Sequence, residues 1–411
     1  MKRLKNLWSI LVYGVSLKVI NLPILVVNTA ILTYTFVDCY KNPESLFGSD
    51  SVLIIIFLLF TLVWQVISTC FDLYQYLSIP EIWIYSSDVP VKYRLDDVLL
   101  DNRYIVPDDV PQEINVIYDP KTNEALTSGT AIGLRPSYSH GKDVWRYLNL
   151  NKGVLLLFLK AKWNTLKAGE FYNEAKLCQA SEIKMGQNGE FTVNVCKGSY
   201  YNSFLTNDIY GLVVRHDDGV INPPLNFENY GIQTFDKSIF SNHIGVSTIV
   251  ISSDNKVLLQ RHNNRTAVSA NKYAGSGSGS VDYEDWDKND NDLRQILIRA
   301  AHRELCEEAG FKELFKKVKV ETSVIGMYRN LERGGKPDYC LVTRIDADFQ
   351  SLKDEFTAEK KEVVSHPEEV SVAGKDGNLD FSELDRFIEQ NISNMSVSLY
   401  MNYYFMKKFF S

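Results

Sequence analysis

Residues 303 to 311 read Arg-Glu-Leu-Cys-Glu-Glu-Ala-Gly-Phe, and this run restricts local structure more than any other in the chain. Positions i, i+3 and i+4 are neighbours on an α-helix, so Glu304, Glu307 and Glu308 fall on one stripe if the segment is helical. Gly310 supplies the stop, because glycine takes the left-handed conformation that ends helices at little steric cost. Like charges so placed repel by about 0.2–0.5 kcal/mol per pair, and something must compensate. A solvated acidic face is the plainest account. With 51 acidic residues among 411, a triplet at this spacing arises on the order of once by chance. Requiring Arg303 before it, Leu305 within it and Gly310-Phe311 after it lowers that expectation roughly a thousandfold.

The run resembles the second half of the Nudix box, Arg-Glu-U-x-Glu-Glu-x-Gly-U, where U is a bulky apolar residue. The resemblance implies that Glu304, Glu307 and Glu308 bind Mg²⁺ or Mn²⁺ and that Arg303 orients a glutamate by an ion pair. It also implies metal-assisted attack of water on a nucleoside diphosphate linked to another group. Such chemistry suits the spacing, since a hard divalent ion takes one or two carboxylates, keeps several waters and bridges to phosphate oxygens.

The surroundings extend the resemblance. Gly245 to His262 is apolar and β-branched around the turn Ser253-Asp254-Asn255, a hairpin signature. It is similar to the strand pair leading into the box. Between hairpin and helix, Gly275, Gly277 and Gly279 alternate with serine. They read either as a flexible linker or as backbone open enough for N–H groups to meet phosphate oxygens. The full box places a glutamate five residues after a glycine and seven before the arginine. Here Gly279 with five spacers reaches Asp285, whereas counting back eight from Arg303 lands on Gln295. An insertion around Asp285 to Asp292 therefore separates the halves. Downstream, 317–328 and 338–349 read as strands. Tyr328 and Arg329 are candidates for contacting a nucleotide, with core packing an equal account of Tyr328. Glu359 and Glu362 are candidates for a general base within a charge run, and His302 reads as a helix-surface residue.

Near the N-terminus, residues 19–37 and 51–71 carry no charge. Each is long enough to cross a hydrocarbon core of about 30 Å as a helix, which takes roughly 20 residues. Lys2, Arg3, Lys5 and Lys18 precede the first span and Lys92 and Arg94 follow the second, while Asp38, Glu44 and Asp50 face Lys41 between them. The positive-inside tendency then puts both termini in the cytoplasm of a two-span inner-membrane protein. Cys178, Cys196, Cys306 and Cys340 show no framework spacing, as expected of reduced thiols. A net charge of −7 argues against a nucleic-acid polymer as partner.

The expected architecture is α/β. A membrane hairpin covers 1–77, a β-rich region or N-terminal extension covers 78–241, and a Nudix-like α/β/α sandwich with C-terminal helices covers 242–411. This layout resembles the two-transmembrane Nudix effectors of the bacterial cyclic-oligonucleotide antiphage signalling systems (CBASS). That resemblance implies a cyclic di- or oligonucleotide ligand made by a cognate nucleotidyltransferase, homo-oligomerisation and disruption of the membrane. The alternative is a membrane-anchored hydrolase that cleaves ADP-ribose or nucleotide sugars with Mg²⁺.

Overall fold

The computed structural model describes residues 103–111, 114–150, 173–208, 212–216, 219–221, 232–262, 271–286, 289–356, 367–374 and 378–411, with 83–86 and scattered positions from 29 to 68. The expected membrane spans fall largely outside the described residues, as do Glu359 and Glu362. Among the described residues no helix is long and apolar enough to cross a membrane. The chain divides into two compact units, one of 1–84, 146–173 and 214–224, the other of 85–145, 174–213 and 225–411.

In chain order the strands begin with β1 (Trp83–Ser86), β2 (Val116–Ile117), β3 (Ile132–Pro136), β4 (Ala175–Gln179) and β5 (Lys184–Met185). There follow β6 (Phe191–Ser199), β7 (Leu212–His216), β8 (Gly219–Ile221), β9 (Gly245–Ser252) and β10 (Lys256–Arg261). The last are β11 (Tyr273–Ala274), β12 (Gly277–Ser280), β13 (Val320–Asn330), β14 (Lys336–Ile345) and β15 (Glu368–Ser371). The helices are α1 (Pro120–Thr127), α2 (Tyr138–Leu150), α3 (Tyr200–Ser203), α4 (Leu293–Ala309), α5 (Phe349–Glu355), α6 (Ser382–Asn391) and α7 (Val397–Phe410). Three sheets result: β1-β7-β8, a four-stranded sheet β3-β6-β4 with β5 on β6, and an eight-stranded sheet β11-β10-β9-β14-β13-β2 joined by β12 and β15.

The eight-stranded sheet is mixed. β9 runs parallel to β14 and antiparallel to β10 and β12. The hairpin read from Gly245 to His262 is β9–β10, turning through Asn255 at φ 54°, and the downstream runs form β13 and β14, paired antiparallel. Period-2 alternation then assigns the two faces. From β9, Val246 and Val250 pack with α4 while Ile249 and Ile251 pack with α7; from β14, Tyr339 and Leu341 take the first face, Cys340 and Val342 the second. A sheet with apolar side chains on both faces needs a cover on each, and the result is an α/β/α sandwich.

Each helix reaches the sheet where a glycine leaves room. A Cβ at Gly326 in β13 would stand 2.6 Å from the Phe405 ring of α7, and one at Gly277 in β12 would stand 3.0 Å from Leu305 of α4. The C-terminal residues thus dock as α6 and α7 on the sheet. On the other face, the four-stranded sheet adds Ile132, Leu134, Leu177, Val193 and Val195 to the cluster that buries α4. Cys178 and Cys196 stand opposite each other in β4 and β6 as free thiols.

Candidate functional site

α4 begins at Asp292, whose side chain caps Arg294 N–H at 3.1 Å and also accepts from Ile132 N–H of β3 at 3.0 Å. It ends at Gly310, φ 77°. Its buried positions are 293, 296, 297, 300, 301, 304, 305, 308 and 309, the three-and-four spacing of a core-facing stripe. Glu304 and Glu308 therefore lie on the apolar stripe, 3 % and 6 % exposed. The solvated acidic face is not what forms; of the three glutamates only Glu307 keeps an exposed side chain, at 42 %.

Buried carboxylates demand partners, and Arg303 is the main one. Its Nε and Nη2 grip the two oxygens of Asp285 at 3.1 and 3.0 Å, a bidentate fork. Nη1 donates to Glu304 Oε1 at 2.7 Å and to Glu307 Oε1 at 3.4 Å, and Nη2 also donates to Ser280 O at 2.8 Å. Burial opposes the guanidinium charge, yet the Asp285 hydrogen bond and the charges of Glu304, Asp285 and Asp282 outweigh it and raise the Arg303 pKa. Glu308 is fixed from the backbone, where Ser278 N–H donates to its Oε2 at 2.8 Å.

The Gly/Ser run is neither linker nor open phosphate loop. Gly277 to Ser280 form β12, paired in register with β9. A Cβ at Gly279 would fall on the Glu304 carboxylate, and one at Gly275 would stand 2.8 Å from Thr248 O. These glycines let α4 and β9 approach, and the one amide of this strand seen to meet an anion, that of Ser278, meets a glutamate of the chain itself. Tyr328 and Arg329 are also corrected. Tyr328, 1 % exposed, packs on the α7 face, opposite the glutamates. Arg329, 1 % exposed, donates to Gly335 O at 3.0 Å and Gln233 O at 2.7 Å and lies over the Phe235 ring. Both side chains are spent in the core. His302 is half-buried, bonded to Thr322 Oγ1 at 2.8 Å and packed edge-on to Phe315.

Two partners went unread in the sequence, Asp282 and the backbone of Ser278. Asp285 had its signal in the count of five from Gly279. Asp285 is in reach of Arg303, and Asp292, seven residues on, caps α4. From α4, Arg299 bonds to Asp290 at 2.6 Å and to Asp285 O at 3.0 Å.

The donors are all oxygen and all on one helix, which fits a hard divalent ion such as Mg²⁺ or Mn²⁺ better than a softer metal. Among the described residues, no group of three or more His, Cys, Asp or Glu side chains is placed to hold a metal ion. An ion held by one or two carboxylates with waters and phosphate oxygens needs none.

The mixed sheet, the glutamate helix laid across it and the arginine clamped to Asp285 together define the site. No family model matches the chain and no curated protein matches it. Three solved structures show a slight likeness. The DR0079 protein from Deinococcus radiodurans is 12 % identical with a TM-score of 0.26, over 46 % of this chain and 90 % of that one. Tm1382, assigned as a Nudix hydrolase, is 16 % identical with a TM-score of 0.25, over 40 % and 71 %. The MutT protein from Methanosarcina mazei Go1 is 16 % identical with a TM-score of 0.23, over 41 % and 91 %. Scores this low carry no argument about this chain.

Proposed function

We propose that the α4 carboxylates form a divalent-cation site for the phosphates of a nucleotide, and that the reaction it supports is hydrolysis of a nucleoside diphosphate derivative such as ADP-ribose or a nucleotide sugar. One observation carries this reading: two glutamates occupy the core stripe of a helix, each fixed by a hydrogen bond. Keeping a charge there costs stability unless it is compensated, and an apolar residue would fill the same space. Glu304, Glu307 and Glu308 would hold Mg²⁺ or Mn²⁺. Such an ion, when bound, polarises phosphoryl oxygens and acidifies a bound water. The chain's own part is positional: Arg303 fixes Glu304, the Ser278 amide fixes Glu308, and the neighbouring strand and sheet exclude water from both. The test incubates the full chain with Mg²⁺ and a mixture of ADP-ribose, nucleotide sugars and cyclic di- and trinucleotides, read by mass spectrometry. Cleavage of a diphosphate into two monophosphates, lost in Glu308→Gln, is the expected result. Intact diphosphates after long incubation would overturn hydrolysis.

A second reading assigns the same site to sensing. In it the chain is an inner-membrane effector of antiphage signalling, with both termini cytoplasmic. A cyclic nucleotide from a partner nucleotidyltransferase binds the Nudix-like region, and copies assemble to breach the membrane. Two observations favour it: the uncharged spans of the sequence, and the helical residues 59–68, whose Phe60, Trp64 and Ile67 are 67 %, 65 % and 56 % exposed. Its exposed positions are apolar while Thr61, Gln65 and Ser68 share the less exposed face, and an exposed apolar surface of this kind suits lipid or an apolar partner. Cyclic nucleotides hold phosphodiesters, so this reading predicts ligand retained whole. Deleting residues 1–77 should abolish ligand-dependent membrane depolarisation in cells while leaving binding intact; depolarisation by the truncated chain would sink it.

A further inference from the structure

The four-stranded sheet touches the carboxylate site through one strand edge. β4 pairs with β6 on one side. On the other, Leu177 N–H donates to Val281 O at 3.0 Å and Leu177 O accepts from Ile244 N–H at 2.9 Å. Val281 lies between two groups that hold Arg303: Ser280, whose carbonyl accepts from Nη2, and Asp282, whose Oδ2 is 3.5 Å from the same nitrogen. One residue before Leu177, Lys176 places its ammonium on Asp282 Oδ1, with Glu174 Oε2 at 3.3 Å beside it. Its side chain is 10 % exposed. Along Glu174, Lys176, Asp282, Arg303 and Glu304 the charges alternate in sign, and the line begins in one sheet and ends on the helix of another.

The planar guanidinium makes this line mechanical as well as electrostatic, because its nitrogens move together. Without the Lys176 charge, Arg303 must neutralise Asp282 as well as Asp285. Nη2 is then drawn toward Asp282, and Nη1 turns away from Glu304. A buried carboxylate that loses a charge-assisted hydrogen bond shifts to find another donor.

We propose that Lys176 is a positioning residue for the carboxylate site, setting Arg303 and through it Glu304 from a sheet outside the eight-stranded one. The inference rests on the cation-site reading above, and Lys176 touches neither ion nor substrate. Outer-shell partners are worth roughly 10–100-fold in metal affinity; three links from Glu304, Lys176 should stand at the low end, about tenfold.

The experiment measures Mn²⁺ binding to the full chain from the electron paramagnetic resonance signal of free Mn²⁺, with melting temperature followed in parallel. Lys176→Met should weaken binding about tenfold, and Lys176→Arg should recover most of the loss. Combining Lys176→Met with Asp282→Asn should add little to Asp282→Asn alone, because the charge that Lys176 offsets is already gone. The proposal is overturned if Lys176→Met binds Mn²⁺ as the unaltered chain does. It is equally overturned if Lys176→Arg is as weak as Lys176→Met with the same loss of melting temperature, which marks a merely structural role. Failure of the unaltered chain to bind Mn²⁺ would instead remove the cation-site reading itself.

Discussion

Replacing Arg303 with methionine keeps a stem of similar length and removes the fork. Asp285 loses two hydrogen bonds, and Glu304 and the Ser280 carbonyl one each. The carboxylates left behind are 9 % and 4 % exposed at the side chain, so water replaces the donors poorly. Removing one partner of a buried ion pair costs about 3–5 kcal/mol. Arg303 is itself 25 % exposed, and solvent screening places the expected loss near the low end, about 3 kcal/mol. The assay is amide hydrogen exchange of peptides covering α4 and β12, where such a loss accelerates globally limited exchange roughly 150-fold. Asp285→Asn alone should cost about 2 kcal/mol, and the double variant less than the two together, with a coupling of at least about 1 kcal/mol. Acceleration below about fivefold, or strict additivity, would mean that the fork is not what holds the two carboxylates in the core.

Three further outcomes follow from the same coordinates. Glu308→Gln should weaken Mn²⁺ binding more than Glu307→Gln, because Glu308 is fixed by the Ser278 amide while Glu307 is largely solvated; equal losses by titration calorimetry would contradict that ranking. Gly326→Ala should destabilise by about 1–3 kcal/mol through overpacking against Phe405, and Phe405→Leu in the same chain should restore part of the loss in urea unfolding. Burial depresses the pKa of His140, of His302 and most strongly of His243, where Lys336, Arg333 and Lys176 add to it. Their folded-state pKa values lie below the unfolded value of about 6.5. Stability from them is therefore complete above that pH and lost as pH falls, by up to about 1.4 kcal/mol per pH unit for each. His243→Gln should flatten the acid limb of the stability profile measured between pH 7 and 5, and an unchanged slope would refute the assignment.

What was legible in the sequence had one-dimensional causes. The β9–β10 hairpin, β13 and β14 follow from alternation and β-branched content, and α4 from its glutamate spacing and terminal glycine. β12 escaped because Gly-Ser-Gly-Ser has no side-chain pattern to show, and its strand character comes from pairing with β9 and from the room it leaves for Leu305 and Glu304. Tyr328 and Arg329 misled for a related reason. A strand-end arginine beside an aromatic looks ready for a nucleotide, and only the fold reveals that Phe235 and two carbonyls already occupy the guanidinium. The acidic stripe was visible, but which way it faced was decided by the apolar residues at 293, 296, 297, 300, 301 and 305.

The two anchored ends of the segment from Asp285 to Asp292 bear on how such a site is specified. Asp285 is held by Arg303 at one end, and at the other Asp292 caps α4 while binding the first amide of β3. With both ends anchored, a change in the length of chain between them need not displace a glutamate. The site is specified by contacts across space, whereas a fixed-spacing pattern measures distance along the chain. Chains with such a site can share the arrangement without sharing the spacing. They are better sought by an aspartate or glutamate forked to a helix arginine, with a glycine strand under the first glutamate.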